Sequence, residues 1–377
     1  MKYMGSKRVM LRNGLGKLLA QEVPQSSRFV DLFTGSGAVA RHVAQMHEIP
    51  VLAADLQEYS VTLAGSVVCR NRVLDGDQIW AGWLSSATQY VQRARKRPPK
   101  FDSITKASVA AVRKWSEKQE ELPITAAYGG HYFSASQALW LDALRANLPK
   151  GREQRQLALA ALIQTASQCA ASPGHTAQPF QPTKTGRRFI RESWQKEVPD
   201  LARRNLATLG AVAAKKAGIA IKADANVLAN TMSAGDLIFI DPPYSAVHYS
   251  RFYHVLESIA SGRPGLVSGV GRYPDSRRRP RSRYSVLTES ADALTQLLET
   301  IANRGAKVII TFPEHECSNG LSGARVQDIA SGYFKIDREV VASRFSSLGG
   351  TSDGRGNEAG RDARLNTEEL MLLLRPR

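Results

Sequence analysis

The stretch of this sequence best suited to chemistry is Asp241-Pro242-Pro243-Tyr244. Two consecutive prolines fix φ and contribute no N–H, so the Asp241 carboxylate and the adjoining backbone carbonyls become acceptors held in place beside the Tyr244 ring. Such a site receives N–H donors. The exocyclic amine of a nucleobase is a donor of that kind, and a planar base is a surface on which a tyrosine stacks.

A short buried strand must position that loop. Leu237-Ile238-Phe239-Ile240 is continuously apolar, follows the turn pair Gly235-Asp236 and ends at the prolines. Other segments have the same form. Arg28 to Phe33 reads as a strand, followed by the small-residue turn Thr34-Gly35-Ser36-Gly37-Ala38 and a helix from near Val39. Glycines there let a backbone approach a ligand closely. Val51 to Ala54 reads as a second strand ending at Asp55, roughly 20 residues after the glycine turn, where nucleotide-binding βαβ units carry a ribose-binding acid. Gly-x-Gly alone reads more readily as an ordinary strand-to-helix turn; Asp31 and Asp55 at strand ends reverse that and favour the ligand reading. Ile219 to Ala223 ends at Asp224, and Lys307 to Phe312 and Glu368 to Leu374 are further strands. Asp31, Asp55, Asp224 and Asp241 are thereby expected on one edge of an α/β sheet, where open sheets of this class bind ligands. Val9 to Leu19 reads as a short amphipathic helix ahead of them.

Between Asp75 and Gly218 the strand signals fade and the texture becomes helical. Ser134 and Gln137 form a capping-box pattern ahead of Leu141, Leu144 and Leu148, and Leu157 to Ala171 reads as a second helix stopped by Pro173-Gly174. The loop Ser172 to Phe180 carries His175 and Gln178, side chains able to read base edges; a solvated loop is the alternative. Phe252, Val255, Leu256 and Ile259 share a helical face and read as core. Arg277, Arg278, Arg279, Arg281 and Arg283 surround Pro280 with almost no acid nearby, which suits phosphates; a solubilising loop is the alternative.

Composition agrees with a polyanionic partner. Lys and Arg total 51 against 34 Asp and Glu, a formal net charge of +17 over 377 residues. Nucleic acid is the leading candidate. The three cysteines are far apart and form no disulfide framework, which suits a reducing compartment. No apolar run reaches the roughly 20 residues of a membrane span, and the first residues lack a signal-peptide core, so a cytoplasmic location is expected. The histidines have no paired spacing with one another or with cysteine, and no metal site is expected.

Together, Tyr3 to Lys7, Asp31-Leu32-Phe33-Thr34-Gly35-Ser36-Gly37 and Asp241-Pro242-Pro243-Tyr244 resemble the Dam-like, D12-class N6-adenine DNA methyltransferases of restriction-modification type, in that family's α-group order. The resemblance covers 1–72 and 219–312 well. It implies a Rossmann-like S-adenosylmethionine-dependent methyltransferase fold, α/β with a mixed, mostly parallel sheet. The catalytic domain would be 1–72 and 219–377, interrupted by a largely helical target-recognition domain at 73–218. By the same resemblance Tyr3, Lys7, Asp31, Phe33, Gly35, Gly37 and Asp55 hold S-adenosylmethionine, Asp224 lies near its adenine, and Asp241, Pro242, Pro243 and Tyr244 are the catalytic loop. Double-stranded DNA, with a cognate restriction endonuclease as a further partner, completes the expectation.

The implied reaction is methyl transfer to the N6 amine of a flipped-out adenine. Its lone pair is delocalised into the ring until acceptors hold both hydrogens, a task for Asp241 and the Pro242 carbonyl. Alternatives at the same fold are an RNA adenine methyltransferase and a cytosine-N4 methyltransferase, though the cytosine enzymes more usually carry Ser before the prolines. A catalytically silent DNA-binding subunit would be marked by decay of these motifs, and none has decayed.

Overall fold

The computed structural model describes residues 7–93, 97–343 and 367–377. Nine strands are present among them: β1 (Arg28–Asp31), β2 (Val51–Asp55), β3 (Ile219–Lys222), β4 (Asp236–Ile240), β5 (Val267–Ser268), β6 (Tyr273–Pro274), β7 (Lys307–Pro313), β8 (Phe334–Ser343) and β9 (Thr367–Pro376). The chain forms two compact units. One comprises the described residues up to Asn71, Ala214–Tyr249 and those from Arg281 onward; the other comprises Arg72–Ala213 and Ser250–Pro280.

The first unit is built on a seven-stranded sheet in the order β3-β2-β1-β4-β7-β9-β8. The first five are parallel, and β9 runs antiparallel to both β7 and β8. Strands covered on both faces read as continuous apolar runs, and period-two alternation divides each run between two cores. Phe29, Ala53, Leu237, Phe239 and Ile309 face Leu15, Leu19, Val39, Val43 and Val68 from the helices Leu15–Glu22, Ala38–Met46 and Glu58–Val68. Val30, Leu52, Ile238, Ile240, Val308 and Ile310 face the helices Ala225–Ala229, Ser290–Asn303 and Gly323–Ser331.

Strand order reverses at β1, with β2 on one side and β4 on the other. Connections leaving these two carboxyl ends diverge, and the crevice between them is where doubly wound sheets take ligands. Asp31 ends β1 and Asp241 follows β4 directly. Two local expectations are corrected. The first described helix is Leu15–Glu22, not Val9 to Leu19, because Gly14 at φ 133° interrupts the chain after a run of turns. The helix carrying Val255, Leu256 and Ile259 breaks at Tyr253, leaving Tyr249–Phe252 and His254–Ser261; those three side chains are buried, and Phe252 lies against His175 instead.

The second unit is mainly helical with the small antiparallel pair β5–β6. Ser134 and Gln137 form the reciprocal capping box at the start of the helix Ala135–Ala146. Buried Asp142 accepts the N–H groups of Ile124 and Thr125 at 2.9 and 2.8 Å and the Thr125 hydroxyl at 2.7 Å, satisfying the start of the helix Pro123–Tyr128. Among the described residues no helix is long and apolar enough to cross a membrane.

Candidate active site

The glycine turn after β1 forms one side of the site. Gly35 (φ 49°) and Gly37 (φ 74°) are left-handed, and a Cβ on Gly37 would stand 3.1 Å from the Ala64 backbone. Gly35 donates its N–H to Asp55 Oδ2 at 2.9 Å, and Gln57 donates to Oδ1 at 2.9 Å, so the acid ending β2 fixes the turn that follows β1. Asp31 is buried. Its Oδ2 accepts from the Thr34 hydroxyl at 3.2 Å, while Oδ1 has no hydrogen-bond partner among the described residues. Burial, with the nearby Asp241 and Asp55 charges adding to it, pushes the Asp31 carboxyl up to about 7 against the opposing pull of the Thr34 hydroxyl and the Phe33 backbone.

Phe33 extends this wall. Its ring meets Tyr284 edge-on at 5.0 Å, and the Tyr284 hydroxyl donates to Asn226 Oδ1 at 2.7 Å. Asn226 lies in the first turn of the short helix Ala225–Ala229, which Asp224 caps by accepting from the N–H groups of Asn226 and Val227. Phe33, Tyr284, Asn226 and Asp224 thus form a connected side of the turn.

At the end of β4 the Asp241 carboxylate is gripped from one side. Lys7 Nζ lies 2.9 Å from Oδ1, and the buried Thr311 hydroxyl on β7 donates to the same oxygen at 3.1 Å. Lys7 also lies 3.0 Å from Glu369 Oε2 on β9. Lys7 and Glu369 side chains are 4% and 3% exposed whereas Asp241 is 18% exposed, so the accessible part of this cluster belongs to Asp241. Burial alone would lower the Lys7 ammonium; the two carboxylates outweigh it and hold the lysine cationic. Asp241 is raised to about 6 by burial and by Glu369, against the opposing pull of Lys7 and Thr311. One ammonium among two carboxylates leaves the ionised cluster with a net negative charge.

The rest of the loop is tied down. Asn319 donates its side-chain N–H groups to the Pro243 carbonyl at 2.9 Å and the Tyr284 carbonyl at 3.0 Å. Pro242 is buried, and Tyr244 is half-buried with its ring edge-on to Phe312 and Tyr249, each at 6.4 Å. A hydroxyl-bearing ring beside a partly open carboxylate can stack on a planar group whose amine that carboxylate accepts.

Asp31, Phe33, Gly35, Gly37, Asp55, Asp224, Asp241, Pro242, Pro243 and Tyr244 thus all lie at the carboxyl edge of one sheet. Lys7 sits on Asp241; Tyr3 lies outside the described residues. Glu369, Thr311, Asn319 and Tyr284 join the site without any motif in the sequence to mark them. The one visible signal is a carboxylate, Glu369, in the leucine-rich run of β9. In the helical unit, His175 is half-buried against Phe252 at 5.0 Å and Gln178 is exposed. The arginine run has closer acids than its sequence suggests. Arg277 pairs with Asp275 at 2.9 Å, and Arg281 and Arg283 reach Glu289 at 3.5 and 3.6 Å. Arg278 is exposed, and the Arg279 guanidinium lies over the Tyr273 ring at 5.9 Å. No three His, Cys, Asp or Glu side chains among the described residues gather as metal ligands would.

A model of the family described as D12 class N6 adenine-specific DNA methyltransferase matches residues 3–270. The chain is similar to the modification methylase StsI of Streptococcus sanguinis, 24% identical over 311 residues, covering 80% of this chain and 42% of that protein. It is similar to the modification methylase LlaI of Lactococcus lactis subsp. lactis, 23% identical across 72% of this chain and 40% of that one. The type II methyltransferase M.NlaIII of Neisseria lactamica is 25% identical over 361 residues, 89% of this chain and 90% of its own length. The chain therefore spans about two fifths of StsI and LlaI and most of M.NlaIII.

Proposed function

Because the chain belongs to the family of D12 class N6 adenine-specific DNA methyltransferases, we propose that it transfers a methyl group from S-adenosylmethionine to the N6 amine of adenine in double-stranded DNA. The observation that carries this reading is the one-sided grip on Asp241. Lys7 and Thr311 occupy Oδ1 at 2.9 and 3.1 Å, which leaves Oδ2 as the acceptor for an incoming amine.

The glycine turn fits the donor. Asp31 Oδ1, buried without a partner among the described residues, suits the ammonium of a methionine end, which would hold that carboxyl ionised. Each Asp55 oxygen accepts one backbone N–H, and a carboxylate oxygen can accept a second bond, here from a ribose hydroxyl. Phe33, Gly35, Gly37 and Asp224 line the same edge; Lys7, engaged by two carboxylates, belongs to the transfer end. When bound, S-adenosylmethionine supplies a methyl carried on a sulfonium, which leaves as a neutral thioether.

The protein then has three tasks. Asp241 Oδ2 and the Pro242 carbonyl accept the two amine hydrogens, which draws the nitrogen lone pair out of conjugation and aims it. As the N–C bond forms, positive charge develops on that nitrogen, and the net negative charge of Lys7, Asp241 and Glu369 stabilises it by several kcal/mol, as preorganised charge does in comparable sites. The surplus proton passes to Asp241 and on to solvent. Stacking on Tyr244 offsets part of the cost of unstacking the base, about 1–3 kcal/mol.

The helical unit, 72–213 with 250–280, would recognise the target sequence, with His175 and Gln178 at base edges and Arg277, Arg278 and Arg279 on phosphates; Arg281 and Arg283, which belong to the sheet unit, would continue the phosphate contacts. The relatives' names as modification methylases support a role in protecting cytoplasmic DNA from a cognate restriction endonuclease. Asp241→Ala tests the site: methyl transfer is expected to fall by about 10³-fold or more, the scale of losing one preorganised group, with S-adenosylmethionine binding within a few-fold. Near-normal turnover would contradict it.

A further inference from the structure

Glu369 is the acid of the charge cluster that does not itself accept the target amine. It lies on β9, opposite Pro313 of β7, and at 3% exposure it cannot touch a substrate. Its Oε2 is 3.0 Å from Lys7 Nζ, and that ammonium is 2.9 Å from Asp241 Oδ1. We infer that Glu369 is a positioning residue for methyl transfer, holding the Lys7 ammonium against one oxygen of Asp241 so that the other is presented to the target amine. The inference rests on the methyltransferase reading above.

The ammonium of a lysine is a point charge on a flexible four-carbon stem, so its side chain alone does not select one carboxylate oxygen, and a second anchor fixes its direction. Glu369 supplies that anchor from a strand far from both Lys7 and Asp241 in sequence. It also sets the charge. With Lys7, Asp241 and Glu369 ionised the cluster carries one net negative charge, and with glutamine at 369 it would carry none. The other groups facing Asp241 are Thr311 on β7, Asp31 on β1 and the Tyr249 ring beside Tyr244. Of the acids facing Asp241, Glu369 is the one that shares its lysine. Removing its charge lets Lys7 act on Asp241 alone, which lowers the pH at which Asp241 ionises.

The test uses the full chain, tritiated S-adenosylmethionine and an adenine-containing DNA duplex in single-turnover assays from about pH 5.5 to about pH 9. Glu369→Gln is expected to slow transfer tenfold or more, keep the donor KM within threefold and move the acid limb of the profile to lower pH. Glu369→Asp, which restores the charge, is expected to fall between Gln and wild type. In a Lys7→Met background, Glu369→Gln is expected to add no further loss, because residues acting in series are not additive. Wild-type rate and profile in Glu369→Gln would overturn the inference, as would independent losses in the double variant. If Glu369→Gln does not fold, Glu369→Asp carries the test alone: retraction by one methylene should slow transfer at least threefold, and a wild-type rate would overturn the inference. A wild type that binds S-adenosylmethionine but methylates no DNA would overturn the underlying reaction, and this role with it.

Discussion

Gly35 donates its backbone N–H to Asp55 Oδ2 at 2.9 Å, joining the turn after the first strand to the end of the second. The acid expected to hold a ribose is therefore also the brace of the loop that would receive the methionine end. Asp55→Ala removes the acceptor of both Gly35 and Gln57. It should cost about 1–3 kcal/mol of stability, the range for buried donors left unpaired, and weaken S-adenosylmethionine binding at least tenfold. Denaturant unfolding and equilibrium dialysis check the two parts separately.

On the proposed function, Asp31 would make donor binding dependent on pH. Its carboxyl is raised to about 7 by burial, yet it must be ionised to hold an ammonium. Affinity for S-adenosylmethionine should fall as pH drops below about 7, approaching about tenfold per pH unit for one required deprotonation. In Asp31→Asn the affinity should be lower throughout and this slope should disappear. Calorimetric titrations on both sides of neutrality measure both.

The same shifts set a sign for ligand-free stability. Asp31 and Asp241 have folded-state values raised above the ordinary carboxyl value of 3.8, to about 7 and about 6. The stability they contribute is fully present below about pH 4 and is lost as pH rises through about 6 to 7. Glu22, held down by hydrogen bonds and charge from Lys307 and Arg375 against its own burial, acts oppositely and matters only in acid. Between about pH 5 and about pH 8 the unfolding temperature of the ligand-free protein should therefore fall, and Asp31→Asn should flatten that fall.

How much of this was legible in the sequence follows from where each residue lies. Asp31, Asp55, Asp224 and Asp241 each follow a run of apolar residues, so local pattern alone puts them at strand ends, and the glycine turn marks which edge matters. Phe29 and Val30 face opposite cores, as period two requires. Glu369 and Thr311 were not legible as site residues, because they reach Asp241 and Lys7 only through the pairing of β4, β7 and β9, contacts of long sequence separation. Asn319 is hidden for the same reason: nothing local says that it will bind the Pro243 carbonyl. The acids beside the arginine run are partly local, yet their pairing with Arg277, Arg281 and Arg283 depends on how the loop turns.

Asn319→Ala tests whether the proposed catalytic loop needs its brace. The change frees the Pro243 and Tyr284 carbonyls while leaving Asp241 intact. Transfer should slow by about tenfold to a hundredfold, since a displacement near 1 Å costs on that order, with S-adenosylmethionine affinity within threefold. An unchanged rate would mean the two prolines fix the loop unaided.

Replacing Arg277, Arg278, Arg279, Arg281 and Arg283 with alanine should weaken DNA binding on specific and random duplexes alike. The slope of log affinity against log salt should become shallower by about 0.9 for each phosphate that is no longer neutralised. An unchanged slope would assign the run to the internal pairs it makes with Asp275 and Glu289.

Incubating the protein with S-adenosylmethionine and unmethylated duplex DNA, with RNA in parallel, then identifying nucleosides by mass spectrometry, tests the reaction most directly. The expected result is N6-methyladenine in the DNA alone, absent from the Asp241→Ala reaction. N4-methylcytosine, methylation confined to RNA, or no modified base despite bound S-adenosylmethionine would contradict it.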